Sequence, residues 1–288
     1  MTQPQSTPPK PEMADIHWTR LGPATSAAPE ALFLHCSLAH LGAWRGVAKV
    51  LSGDLSMLMM DLPGHGKSAP YDVADRSRNY QDLALSWALA LLAAEAAGPV
   101  DLVGHSFGAT IALRLAQVAP DRVRSLTLIE PVLFAAVKTD PLFAENTAYM
   151  EGPFADAMRA GDKDEAARLF NDLWGNGTPW QAVPERMRND MAARIDLIPV
   201  AKNVTHDDVH GQVAPGALEV LEMPCLLIEG ATSPAIIAAI HDVFEARLPD
   251  VRRVVIEGAG HMAPITHPAQ VARALHDFLG TAPRLPSR

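Results

Sequence analysis

Cysteine is nearly absent. Cys36 and Cys225 are the only two in 288 residues, and they stand far apart in apolar runs. That excludes a disulfide framework and fits a reduced, cytosolic protein. No stretch is long enough to span a bilayer. The longest near-apolar run, residues 83–94, is 12 residues and contains Ser86; a spanning helix needs about 20. No basic block occurs, and 33 acidic against 24 basic residues leave a net charge of −9. A nucleic-acid or anionic-membrane partner is therefore not expected. Internal repeats are lacking too. Residues 1–13 hold Pro4, Pro8, Pro9 and Pro11 but no apolar core of a signal peptide, so they read as a disordered tail. Residues 281–288 read as a second loose end.

What is present is ordinary globular composition, 48% apolar and 20% charged. It excludes a collagenous, coiled-coil or disordered chain. The length allows one large or two small domains and a substantial core. Short apolar strands are expected at 31–35, 57–61, 100–104, 123–129, 225–229 and 251–257. Helices are expected at 43–51, 80–95, 107–118, 235–248 and 268–279. Fully apolar strands alternating with helices imply a mostly parallel sheet covered on both faces. The alternation breaks over 131–222, which reads helical and irregular. An insert there would project from the carboxyl edge of the sheet, where ligands bind in such folds.

The sharpest motif is Gly104-His105-Ser106-Phe107-Gly108. It lies between a strand and a helix, where a sharp turn lifts the serine hydroxyl above the sheet edge. Glycines flank the turn because a Cβ there would crowd the backbone. The helix start favours developing negative charge. A capping serine in a glycine-rich turn is the plainer alternative, and the strand–turn–helix context favours the nucleophile. Its base is expected to be His261, in the turn Gly258-Ala259-Gly260-His261 that follows a strand at the same edge. His35, His65 and His105 border that edge in tight turns and read as structural hydrogen-bonders. His206 and His210 have metal-ligand spacing but no third ligand, so a solvated loop is expected. Trp174 and Trp180 are candidates for a pocket mouth, or for the packing of the insert.

At these residues the chain resembles the α/β-hydrolase fold family. The resemblance rests on His35-Cys36-Ser37, the run Asp61-Leu62-Pro63-Gly64-His65-Gly66-Lys67-Ser68, the Ser106 turn and Gly260-His261. It spans roughly residues 16–280. It implies an α/β fold with a mostly parallel eight-stranded sheet, a helical cap after the sixth strand, and a Ser-His-acid triad. The core would comprise 14–130 and 223–280, and the cap 131–222.

Two departures stand out. The family's acid usually follows its seventh strand, but the loop here is Gly230-Ala231-Thr232-Ser233-Pro234. With no carboxylate there, Glu130 at the end of the sixth strand is the candidate acid. Some family members, including a branch of the haloalkane dehalogenases, take their acid from that place. Glu229 and an acid-free dyad remain open at this point. Ser233 has no assigned role, so Ser233→Ala is expected to be almost silent. The second departure is Cys36, where the family usually has glycine. Cys36 lacks a nucleophile's turn and reads as a small inert residue.

The implied activity is a serine hydrolase acting on a small or medium carboxylic ester. Ser106 attacks, His261 carries the proton, and Glu130 orients His261. The N–H groups of Ser37 and Phe107 hold the oxyanion. The expected partner is a small-molecule ester, with no cofactor and no metal. Dehalogenase and epoxide-hydrolase chemistry needs an aspartate nucleophile, which Ser106 argues against. A carbon–carbon bond hydrolase or cofactor-free haloperoxidase could use the same triad. A non-catalytic binding protein is the alternative of another class; the missing loop acid favours it, and Ser106 with His261 opposes it.

Overall fold

The computed structural model describes residues 12–23, 28–75 and 77–281. Most of the expected N-terminal tail lies outside them, as do residues 282–288. Met13, assigned to that tail, instead opens a short 3-10 turn, Met13–Asp15, and packs against the core.

Seven strands form one sheet: β1 (Trp18–Leu21), β2 (Glu30–Leu34), β3 (Ser56–Met60), β4 (Val100–His105), β5 (Val123–Ile129), β6 (Cys225–Gly230) and β7 (Val251–Ile256). Their order is β1-β3-β2-β4-β5-β6-β7, with β1 antiparallel to β3 and all other pairs parallel. The expected count of eight is corrected to seven among the described residues. Pro23 and Pro29, which cannot donate ladder hydrogen bonds, frame the approach to β2. The short β1 has no apolar run and is partly exposed along its length, so hydrophobic patterning does not reveal it. The strand before the insert is thus β5 here.

Alternate residues of each strand enter opposite layers. Leu32, Leu34, Leu58 and Met60 join one cluster, while Ala31, Phe33, Met57 and Met59 join the other. This is the period-2 alternation of a sheet buried on both sides. Helix α1 (Arg45–Leu51) packs on one face, and α2 (Tyr80–Glu95) and α3 (Phe107–Val118) on the other. The start of α2 is set by Asn79, whose Oδ1 accepts from Gln81 N–H at 2.8 Å.

Between β5 and β6 lie α4 (Pro141–Tyr149), α5 (Ala155–Ala160), α6 (Lys163–Trp174), α7 (Glu185–Arg194), α8 (Leu197–Val200) and α9 (Lys202–Thr205). Phe154, Ala157, Ala166, Ala167, Trp180, Val183 and Ile195 give this layer its own apolar cluster. Leu218 and Leu221, after α9, instead join the core cluster beside α2 and α3. Gln212 ties this return segment down: its Nε2 donates to Thr110 O at 2.8 Å, and its Oε1 accepts from Gln81 at 2.9 Å. The chain closes with α10 (Ala235–Arg247), α11 (Ala263–Thr266) and α12 (Pro268–Leu279). Val271, Ala272, Leu275 and Phe278 form the buried stripe of α12. Among the described residues, no helix is long and apolar enough to cross a membrane.

One buried charge sits at the centre of the sheet. Asp101 of β4 is fully buried and is met by the Arg124 guanidinium and by Ser125 Oγ at 2.6 Å. Removing one partner strands the other in low dielectric. Asp101→Ala is expected to lower stability by about 3 kcal/mol, seen as a lower urea midpoint at unchanged slope.

Candidate active site

The turn at Ser106 links the end of β4 to the start of α3. Ser106 adopts φ 55° and ψ −119°, a region that side-chain-bearing residues avoid. Its N–H donates to Ile129 O at 2.8 Å, pinning the turn to β5. The turn is possible because backbones touch where Cβ atoms would stand. A Cβ on Gly104 would lie 2.4 Å from Gly108 O, and one on Gly108 would lie 2.3 Å from Leu34 O.

His261 follows β7 and reaches back over this turn. Its Nε2 lies 3.0 Å from Ser106 Oγ, and its Nδ1 lies 2.8 Å from Glu130 Oε2. All three side chains are buried. Glu130, like Ser106, sits at positive φ, 52°. Its second oxygen, Oε1, accepts from Gly230 N–H and Ser233 Oγ–H, both at 2.6 Å. Burial alone would raise the Glu130 carboxyl. The hydrogen bond and charge of His261, with the Ser233 and Gly230 donors, outweigh it and hold the group below its usual range.

Glu229 is engaged elsewhere: Arg253 Nη2 donates to both its oxygens, at 2.9 and 3.0 Å. Ser233, which carried no role in the sequence, is a direct partner of Glu130. Its position in the loop that lacks the expected acid was the available signal. The Ser106 turn also holds the His261 loop, because His105 Nε2–H donates to His261 O at 2.8 Å.

Ser37, Ser106 and Phe107 line one cavity of about 460 Å³ with Phe134, Phe154, Phe170, Trp174 and other apolar groups of the insertion. Phe107 opens α3, where the first N–H groups have no acceptor within the helix. Trp174 stands edge-on to His261, with ring centroids 4.9 Å apart. A smaller cavity of about 180 Å³ adjoins, sharing Ser37, Phe170 and Trp174 and reaching Met262 and Ile265 beyond His261. Trp180, the other candidate for the pocket mouth, is buried within the insertion instead. Among the described residues, no cluster of three or more histidine, cysteine or acidic side chains is placed to hold a metal.

Residues 32–268 match the family model for the alpha/beta hydrolase fold. The chain belongs to the α/β-hydrolase family. It is 28% identical over 263 residues to a pimeloyl-(acyl-carrier protein) methyl ester esterase of Nitrosomonas europaea, covering 90% of this chain and 97% of that one. It is 35% identical over 122 residues to lipase LipV of Mycobacterium tuberculosis, 41% of this chain and 42% of that one. The enol-lactonase structure from Burkholderia xenovorans shares the fold, with a TM-score of 0.70 at 18% identity over 92% of this chain and 96% of that one.

In this α/β-hydrolase, the residues of the Asp61–Ser68 motif buttress the loop that carries Ser37. Asp61 accepts from Leu41 N–H at 2.6 Å and Lys67 N–H at 2.9 Å. His35 Nε2 accepts from Leu62 N–H at 2.9 Å, and His65 Nε2 from Leu38 N–H at 3.0 Å. These bonds require rings with a bare Nε2, hence neutral ones. Burial pushes His35 down to about 4 and His65 and His105 to about 3. Burial likewise pushes the Cys36 thiol up to about 12, so it stays protonated and unreactive.

The burial of His35, His65 and His105 as neutral rings has a pH consequence. In the unfolded chain an ordinary histidine protonates near about 6.5. Below that, the unfolded state binds more protons than the native one, so stability falls as pH drops from about 6.5 toward 4. The slope is up to about 1.4 kcal/mol per pH unit for each ring. Urea unfolding at pH 7, 6 and 5 should show this loss, and His65→Gln should flatten the slope.

Proposed function

We propose that this protein is a serine hydrolase of small or medium carboxylic esters, working through an acyl-enzyme. The observation that carries this reading is the buried line Ser106–His261–Glu130, with contacts of 3.0 and 2.8 Å. His261 Nε2 takes the Ser106 proton as Oγ attacks the ester carbon. Glu130 holds the Nδ1–H tautomer and offsets the imidazolium charge. The N–H groups of Ser37 and Phe107 bind the oxyanion. His261 then protonates the leaving alcohol, and a water it activates releases the acid. The related methyl ester esterase and lipase support ester chemistry. No cofactor enters this scheme.

Residues 131–222 act as a cap over the core formed by 14–130 and 223–280. The leaving oxygen must face His261, whose following residues line the smaller cavity. That assigns the larger, aromatic-walled cavity to the acyl chain. Its apolar walls would thin the water around a bound ester and strengthen the electrostatics there.

A fluorophosphonate probe should label Ser106, and a series of p-nitrophenyl esters should show an acyl-length optimum. Ser106→Ala should fold normally and lose about 10⁴- to 10⁶-fold in activity. Unlabelled wild-type protein without esterase activity would favour a binding protein instead. Glu130→Gln should cost about 10⁴-fold in kcat.

Ser233→Ala should lower kcat about ten-fold through the freed carboxylate, the scale of one charge-assisted hydrogen bond. That loss should vanish in a Glu130→Gln background. Equal losses in both backgrounds would make Ser233 a merely structural residue.

A further inference from the structure

One polar group of the larger cavity has no part in the proposed hydrolysis. Its other charged liners, Glu151, Arg159 and Lys202, have side chains 59%, 72% and 47% exposed and sit at the rim. His206 is different: it lines the cavity at 7% exposure. It lies against Phe134 and Phe143, with ring centroids 4.8 and 5.8 Å away.

The path from the reacting centre to His206 is a wall of rings. His261 meets Trp174 at 4.9 Å, Trp174 meets Phe134 at 5.6 Å, and Phe134 meets His206 at 4.8 Å. His206 is therefore three ring contacts from His261, on the wall of the cavity that the acyl chain is proposed to fill.

Its hydrogen bonding assigns the free nitrogen. Thr205 Oγ1 lies 3.2 Å from Ala201 O and 2.8 Å from His206 Nδ1. A carbonyl only accepts, so satisfying both contacts sends the hydroxyl hydrogen to Ala201 O. The Thr205 oxygen then accepts from Nδ1–H. The ring is neutral, since burial and the nearby Lys202 charge push it down to about 4. Nε2 is left as a bare lone pair, buried, with no hydrogen-bond partner among the described residues. A buried acceptor in an apolar wall is costly unless something donates to it.

We propose that His206 Nε2 is a specificity-determining acceptor that binds a neutral hydrogen-bond donor, a hydroxyl or amide N–H, on the acyl part of the ester distal to its carbonyl. This rests on the esterase reading above. A donor there pairs the nitrogen, whereas a plain alkyl chain or an acceptor-only group leaves it unpaired.

The test is a set of methyl esters of straight-chain acids of rising length, each ending in methyl, methoxy, hydroxyl or primary amide. At one chain length the hydroxyl or amide ester should exceed its methyl and methoxy partners about ten-fold in kcat/KM, the scale of one buried hydrogen bond. A hydroxyl optimum and an amide optimum at different lengths would tell the two donors apart. In His206→Phe, which keeps a ring against Phe134 and Phe143, the hydroxyl-to-methyl ratio should collapse to about one. Thr205→Val is the second variant: without the oxygen that fixes the tautomer, the hydroxyl-to-methoxy ratio should fall.

The proposal is overturned if the wild type shows no donor preference at any length, if methoxy matches hydroxyl, or if the preference survives in His206→Phe. Fluorophosphonate labelling of the same samples separates the two readings. Labelled protein without donor preference sinks only the His206 assignment, and unlabelled, inactive protein sinks the esterase reading itself.

Discussion

The site depends on the parallel register of β4, β5 and β6. That register sets His105 opposite Ile129 and Ile129 opposite Ile228. Ser106 and Glu130, the next residues, therefore leave the sheet side by side. Each enters the positive-φ region, at 55° and 52°, and each is pinned by its own N–H to the neighbouring strand, at Ile129 O and Ile228 O. Strained conformations of this kind persist only where the surroundings over-determine them. Here the surroundings are the ladder itself and the glycine contacts at Gly104 and Gly108. His261 then needs only one loop, clamped by the His105 ring, to close the line.

Around this line the protein keeps titratable groups uncharged and bonded. His35, His65 and His105 use one or both ring nitrogens to tie backbone segments together, and burial keeps them neutral. The loop that carries Ser37 is thus held by neutral ring nitrogens of His35 and His65 together with the Asp61 carboxylate. The charge of the site is concentrated in Glu130, whose two oxygens have separate tasks. Oε1 is fixed by Gly230 and Ser233, and Oε2 is left to His261. A glutamate has one more rotatable bond than an aspartate, so the double clamp on Oε1 is what fixes the direction of Oε2.

The helical insertion supplies what the sheet cannot. Trp174, Phe134, Phe154 and Phe170 build an apolar wall in the cavity that Ser106 lines. The core positions Ser106, His261 and Glu130, while the insertion supplies most of the cavity wall beside them. Part of the insertion has an apolar cluster of its own, while Phe134, Trp174, Leu197, Val204 and Leu218 join the cluster of the core.

Much of this was legible in the sequence because it is local. Short apolar runs mark β2 to β7, and Gly104-His105-Ser106-Phe107-Gly108 marks the turn through backbone sterics that neighbours in the chain enforce. The place of His261 at the same edge follows from strand polarity alone. What escaped was non-local or weakly patterned. β1 exists because β3 offers it an edge, not because Trp18–Leu21 carries a hydrophobic signal. The family acid is missing from the loop after β6, and the sequence left Glu130, Glu229 and a dyad open. Only the tertiary structure shows which carboxylate meets His261, because Arg253 occupies Glu229 while β5 delivers Glu130. It also gives Ser233 a partner 103 positions away and sets His206 on the wall of the cavity. Sequence spacing determines which way a strand points; which side chains then share a hydrogen bond is decided by how strands and loops distant in the chain pack together.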